Sequence, residues 1–217
     1  MDRRLALGLI GSAAVMGGAW ALTRKPDALP PLAALAEGSA GEAGPVMEMT
    51  MGDPNAKVTL MEYASFTCPH CATFHNGPMK QIKAEYVDTG KVHFIYRDVY
   101  FDRPGLWAAM VACCDPAKFF GVSDLLYADI KSWAGGGDPA MIVENLRKIG
   151  RIAGLTEDQL DSCLSDGAQA QSLYTWFQGN MEADKVDSTP TLFIDGKKHS
   201  NMSYTDLKAL LDKALDA

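Results

Sequence analysis

Basic charge is in short supply in this sequence. Lysine and arginine total 20 against 27 acidic residues, a net charge of −7. That balance argues against a nucleic-acid partner, because a polyanion is gripped by a positive footprint. Metal-ligating side chains are also few: 4 histidines and 5 cysteines in 217 residues. A structural zinc site needs two ligand pairs at suitable spacing. Cys113-Cys114 and Cys163 do not supply a second pair for Cys68-x-x-Cys71, so no metal is expected. Gly135-Gly136-Gly137 has no Lys-Ser/Thr after it and reads as a loop rather than a phosphate cradle. Heptad repeats are lacking, which leaves no coiled coil to hold a dimer. Long apolar runs are lacking as well, with one exception at the N-terminus.

That exception runs from Leu5 to Leu22, after Arg3-Arg4. Ala19-Trp20-Ala21 places small residues where an export peptidase reads. Residues 1–25 are therefore expected to be a signal peptide or an uncleaved membrane anchor, which puts the chain in the periplasm, free or tethered to the inner membrane. Arg24 and Lys25 speak for the anchor, since they are a poor start for an exported mature chain. Residues 26–45, rich in Ala, Gly, Pro and Glu, read as a flexible linker. With 47% hydrophobic and 22% charged residues, what remains is ordinary for one globular unit carrying an insertion.

The centre of the reading is Cys68-Pro69-His70-Cys71, set between the apolar run Val58–Ala64 and a helical pattern carrying Phe74, Met79, Ile82 and Tyr86. Two thiols two residues apart can close into a small disulfide. Cys68 falls where the first helical N–H groups have no intrahelical partner, so a thiolate there gains hydrogen bonds and the positive helix end. Pro69 suits the first helical position. A protonated His70 would add charge. All three effects lower the thiol pKa, and a stable thiolate makes the disulfide a strong electron acceptor.

Met47, Met49 and Met51 alternate with Glu48 and Thr50, which predicts a core-facing edge strand and also suits a Cu(I)-binding methionine strip. Val58–Ala64 is apolar on both faces and predicts a central strand. Glu62 in it is either a carboxyl group buried near the second thiol or one that reaches water at the strand end. Gly77-Pro78 predicts a kink. His75, one turn past Cys71, either tunes that thiol or packs as an ordinary histidine. Lys91–Tyr100 supplies a further strand. Helical periodicity then takes over from residue 104 to 184: helices from Pro104 to Cys114, over 118–133, from Pro139 to Ala153 behind an Asp138 cap, a short one with a Thr156-x-x-Gln159 capping box, and 168–183. Cys163 faces inward by spacing, and Cys113 and Cys114 both fall on the inner side of their helix. A structural Cys114–Cys163 disulfide is expected, with three buried free thiols as the alternative. Thr191–Ile194 returns to strand, Asp195-Gly196 is a hairpin turn, and Ser203-x-x-Asp206 caps a last helix.

In Glu62-Tyr63-Ala64-Ser65-Phe66-Thr67-Cys68-Pro69-His70-Cys71 and Ser188-Thr189-Pro190-Thr191-Leu192-Phe193-Ile194-Asp195-Gly196-Lys197 the sequence resembles the DsbA family of thiol:disulfide oxidoreductases, in its alphaproteobacterial form with C-P-H-C. The resemblance spans residue 46 to the end. It implies an α/β thioredoxin fold over 46–103 and 185–217, interrupted by a helical domain over 104–184. It implies a cis Pro190 beside the dithiol, with Thr189 bordering the sulfurs, and a supporting acid at Glu62. It implies oxidation of newly exported, cysteine-containing proteins through Cys68 and Cys71, no cofactor, and reoxidation by a DsbB-like membrane partner. Isomerases of this fold oligomerise through an N-terminal region for which residues 26–45 are too short, so a monomer is expected. The competing readings are an isomerase or reductase of the same fold, and a periplasmic metal-binding protein.

Overall fold

A computed structural model describes residues 45–217. The expected signal or anchor and all but the last residue of the expected linker lie outside the described residues. Five strands form one sheet: β1 (Met49–Met51), β2 (Val58–Ala64), β3 (Val92–Asp98), β4 (Thr191–Ile194) and β5 (Lys197–Ser200), in the order β1-β3-β2-β4-β5. Only β2 and β3 run parallel; the other pairs are antiparallel. β2 lies in the middle because its side chains are apolar on both faces, and Val58, Leu60, Glu62, Tyr63 and Ala64 are all fully buried. β5 is an edge, and the charged Lys197 and Lys198 on it discourage further pairing. Asp195 and Gly196 both take positive φ in the β4–β5 turn, as the primed hairpin turns require.

β1 departs from expectation. It is only three residues long; Met49 is buried, Met51 is half-buried and Met47 precedes the strand, exposed. The three methionines thus form no common stripe. The chain reaches β3 late, so the alternation at Met47 has no strand partner.

Every regular element between β3 and β4 is helical: α3 (Arg103–Ala112), a 3-10 turn (Pro116–Lys118), α4 (Phe119–Ala128), α5 (Ile130–Ala134), α6 (Pro139–Ile152), α7 (Glu157–Ser165) and α8 (Gly167–Ala183). The run 118–133, expected as one helix, is broken at Asp129. That residue leaves helical geometry and its side chain caps the next segment through the N–H of Ser132. Leu60 and Phe94 of the sheet share one apolar cluster with Leu106, Val111, Leu146 and Leu160 of the helices. The Cys114–Cys163 disulfide joins the residues after α3 to α7, and Cys113 stays a free thiol. Ahead of the insertion, α1 (Pro69–Asn76) stops at Gly77, and α2 (Pro78–Ile82) continues through a π-helical turn (Lys83–Val87). The kink expected at Gly77-Pro78 is here a full break. A last helix, α9 (Tyr204–Asp216), starts at the Ser203 cap.

Candidate active site

Cys68 is the N-cap of α1 and Pro69 its first residue. The turn from β2 is closed by the Cys68 N–H donating to the carbonyl of Ser65 at 3.0 Å. Gly105, in the first turn of α3, fits against Thr67 just ahead of the dithiol: a Cβ there would lie 3.4 Å from the Thr67 Oγ1. The insertion thus presses directly on the segment that delivers Cys68.

Both cysteines are free thiols, and they differ. Cys71 is fully buried and Cys68 keeps 8% of its surface. The Cys68 pKa is lowered to about 5, first by a hydrogen bond from the Cys71 thiol, then against the opposing effect of burial by Thr189 and by the backbone N–H groups of Cys71 and His70. The His70 ring is exposed, and the backbone N–H of His70 is among the groups that lower the Cys68 pKa. The Cys71 pKa is pushed far up by burial, by its bond to Cys68 and by the negative charge of Glu62. The fold therefore holds one sulfur ready to ionise and the other firmly protonated.

The Thr189–Pro190 bond is cis. The Thr189 carbonyl lies 3.6 Å from the Cys68 Sγ, although the two residues are 121 positions apart. Glu62 acts on the dithiol through the charge that helps raise the Cys71 pKa. It is wholly buried, its Oε2 2.9 Å from His75 Nε2. Of the two placements the sequence allowed, the structure takes the buried one. His75 is also buried, as a partner of Glu62. Spacing contained the signal: Cys71, Phe74 and His75 recur on one face of α1, the face that turns inward. Tyr127 is a further member that sequence reasoning missed. Its ring stacks on His75 at 4.2 Å and its hydroxyl meets that of Tyr96 at 2.7 Å. Among the described residues no group of three or more His, Cys, Asp or Glu side chains is placed to hold a metal ion.

A family model described as Thioredoxin matches residues 45–213. The chain belongs to the thioredoxin family. Within that family it is 29% identical to a Rickettsia bellii protein whose name carries the words protein-disulfide oxidoreductase, over 78% of this chain and 65% of the relative. The chain thus spans just under two thirds of that relative's length. Among solved thioredoxin-family structures it is similar to alpha-DsbA1 of Wolbachia pipientis, with a TM-score of 0.73 and 25% identity over 81% of this chain and 94% of the other. It is also similar to a Novosphingobium aromaticivorans protein named a protein-disulfide isomerase, with a TM-score of 0.65 and 25% identity over 78% of this chain and 98% of the other. The thioredoxin fold with helices inserted between β3 and β4, which the motifs implied, is the fold these structures share with this chain.

Proposed function

We propose that this protein is an exported thiol:disulfide oxidoreductase that introduces disulfide bonds into substrate proteins through Cys68 and Cys71. The observation that carries the reading is the division of labour between the sulfurs: Cys68 partly exposed and ready to ionise, Cys71 buried and held protonated. In the oxidised enzyme a substrate thiolate attacks Cys68 Sγ. The Cys68–Cys71 bond breaks, its electron pair stays on Cys71, and Cys71 takes up a proton. A second substrate thiolate then attacks the substrate sulfur of the mixed disulfide, and Cys68 leaves as a thiolate. Two electrons have moved from the substrate dithiol to the enzyme. The low pKa makes Cys68 a good leaving group in that second step. The Thr189 backbone beside the cis bond offers an extended substrate chain a place to pair.

The clients are unfolded or newly exported proteins with cysteines. A DsbB-like membrane partner returns the electrons, and the enzyme works as a periplasmic monomer with no cofactor. Equilibration of the 68/71 pair with glutathione tests this. A strongly oxidising couple is expected. A low potential would instead make the protein a reductase or isomerase, the activity in the name of the Novosphingobium relative. Tight stoichiometric metal uptake that shields both thiols from alkylation would point to a metal carrier.

A further inference from the structure

Glu62 has two carboxyl oxygens and one partner. Oε2 meets His75 Nε2 at 2.9 Å; Oε1 is buried with no hydrogen-bond partner. The carboxyl group acts on the buried Cys71 sulfur, whose proton its negative charge helps retain. His75 in turn is clamped. The Tyr127 ring lies flat on it at 4.2 Å, and Phe74 and Tyr96 meet it edge-on at 5.9 Å. Tyr127 is fixed by its hydroxyl contact with Tyr96 and by Asn76, which donates to its carbonyl at 2.7 Å. The titratable groups around the imidazole are thus Glu62 from β2, Tyr96 from β3 with Asp98 beyond it, Tyr127 from α4 and Cys71 from its own helix.

A buried carboxylate with no partner is costly, and one that gives up a proton in the interior becomes just that. A neighbour that donates to one oxygen before and after the transfer removes the difficulty and decides which oxygen does the exchanging. We propose that His75 is the positioning residue of the dithiol: its Nε2–H holds Glu62 Oε2, so that Oε1 is the oxygen that hands a proton to Cys71 when the disulfide opens. The proposal rests on the exchange chemistry given above and adds a residue to it. A substrate thiolate bonds to Cys68 Sγ, the Cys68–Cys71 bond breaks, and its electron pair goes to Cys71 Sγ. The Oε1 proton moves to that sulfur. The negative charge that arrived on the thiolate ends on Glu62, still bonded to His75. In the reverse direction Oε1 takes the proton back and Cys71 becomes the attacking thiolate.

Two amides of different reach test this in the full-length protein. His75→Gln places a nitrogen near the position of Nε2; His75→Asn is polar in the same way but too short to reach Oε2. The rate at which reduced glutathione opens the Cys68–Cys71 disulfide is followed by rapid quench and alkylation between about pH 5 and 9. His75→Asn is expected to slow the reaction by roughly tenfold to a hundredfold, a part of the roughly 10²–10⁴-fold that a positioned proton donor contributes. His75→Gln should recover most of it, with Cys68 ionisation, read at 240 nm, unchanged in both. In a Glu62→Gln background the two His75 variants should react alike. Equal rates for Asn, Gln and wild type across the pH range would overturn the proposal. So would an equal slowing in both variants, or slowing matched by a shift in Cys68 ionisation. A wild-type disulfide that glutathione opens at a sulfur other than Cys68 would instead overturn the exchange reading, and the His75 proposal with it.

Discussion

At Cys68 the decisive neighbour is Cys71. Its thiol supplies the largest of the effects that bring Cys68 to about 5; the N–H groups of the helix start come after it. Cys71→Ala should therefore raise the Cys68 midpoint towards the ordinary thiol value, by about one unit or more, in a 240 nm titration of the reduced protein. A midpoint that stays near 5 would give the whole effect to Thr189 and the helix terminus. Thr189→Val removes a lesser donor and should raise the midpoint by a smaller step. Cys68 and Cys71 were legible because their chemistry is local: four consecutive residues at a strand-to-helix turn. Glu62 was legible as a candidate but not as a buried one. Its burial depends on His75, which bonds it, on Tyr96, its register partner on β3, and on Tyr127, which stacks on His75; no pattern along β2 records what is laid over that strand.

Among the elements, caps and turns could be read from the chain and breaks were harder. Asp138, Thr156 and Ser203 each start their helix as the local sequence requires. Asp129 interrupts an apolar helical run that periodicity alone would carry through. The packing of α6 on α7 allows a sharp test. A Cβ on Gly150 would lie 2.6 Å from the Leu160 Cδ2 and 3.3 Å from the Val111 Cγ1, so three elements meet at a residue without a side chain. Gly150→Ala is expected to cost about 1–3 kcal/mol by overpacking, read as a lower urea midpoint at unchanged slope. Paired Gly150→Ala/Leu160→Val should recover part of that loss. A single variant as stable as wild type would mean that α7 shifts freely on α6. The same corner carries the Cys114–Cys163 bridge, which joins residues 49 positions apart. Cys114→Ala/Cys163→Ala should lose roughly 4 kcal/mol in the chain-entropy account, seen in the same urea experiment. Periodicity placed Cys113 and Cys114 both inward; what separates them is that α3 ends at Ala112, so Cys113 still continues the helical turn while Cys114 is free to swing to α7.

Over the whole molecule the sheet and the inserted helices share their apolar interior, and several ionisable groups are enclosed in it. Asp98, the last residue of β3, is one of them. It is 6% exposed, and its Oδ1 has no hydrogen-bond partner. Burial drives its pKa up from 3.8 to about 8, and the pull of the Tyr96 and Tyr100 hydroxyls in the other direction is too weak to offset it. At neutral pH the folded chain thus holds a proton here that the unfolded chain has released. Between about pH 4 and 8 the unfolded state binds fewer protons than the native one, so this group makes stability fall as pH rises; above pH 8 both states are ionised and the loss is complete. Asp98→Asn keeps the shape and removes the titration. Its urea-derived stability should match that of wild type near pH 4. The advantage of the variant should then grow steadily to on the order of a few kcal/mol by pH 8–9. A difference between the two proteins that stays constant from pH 4 to 9 would show that Asp98 ionises in the fold as freely as it does in the unfolded chain. The orphaned Oδ1 of Asp98 would then be reached by solvent.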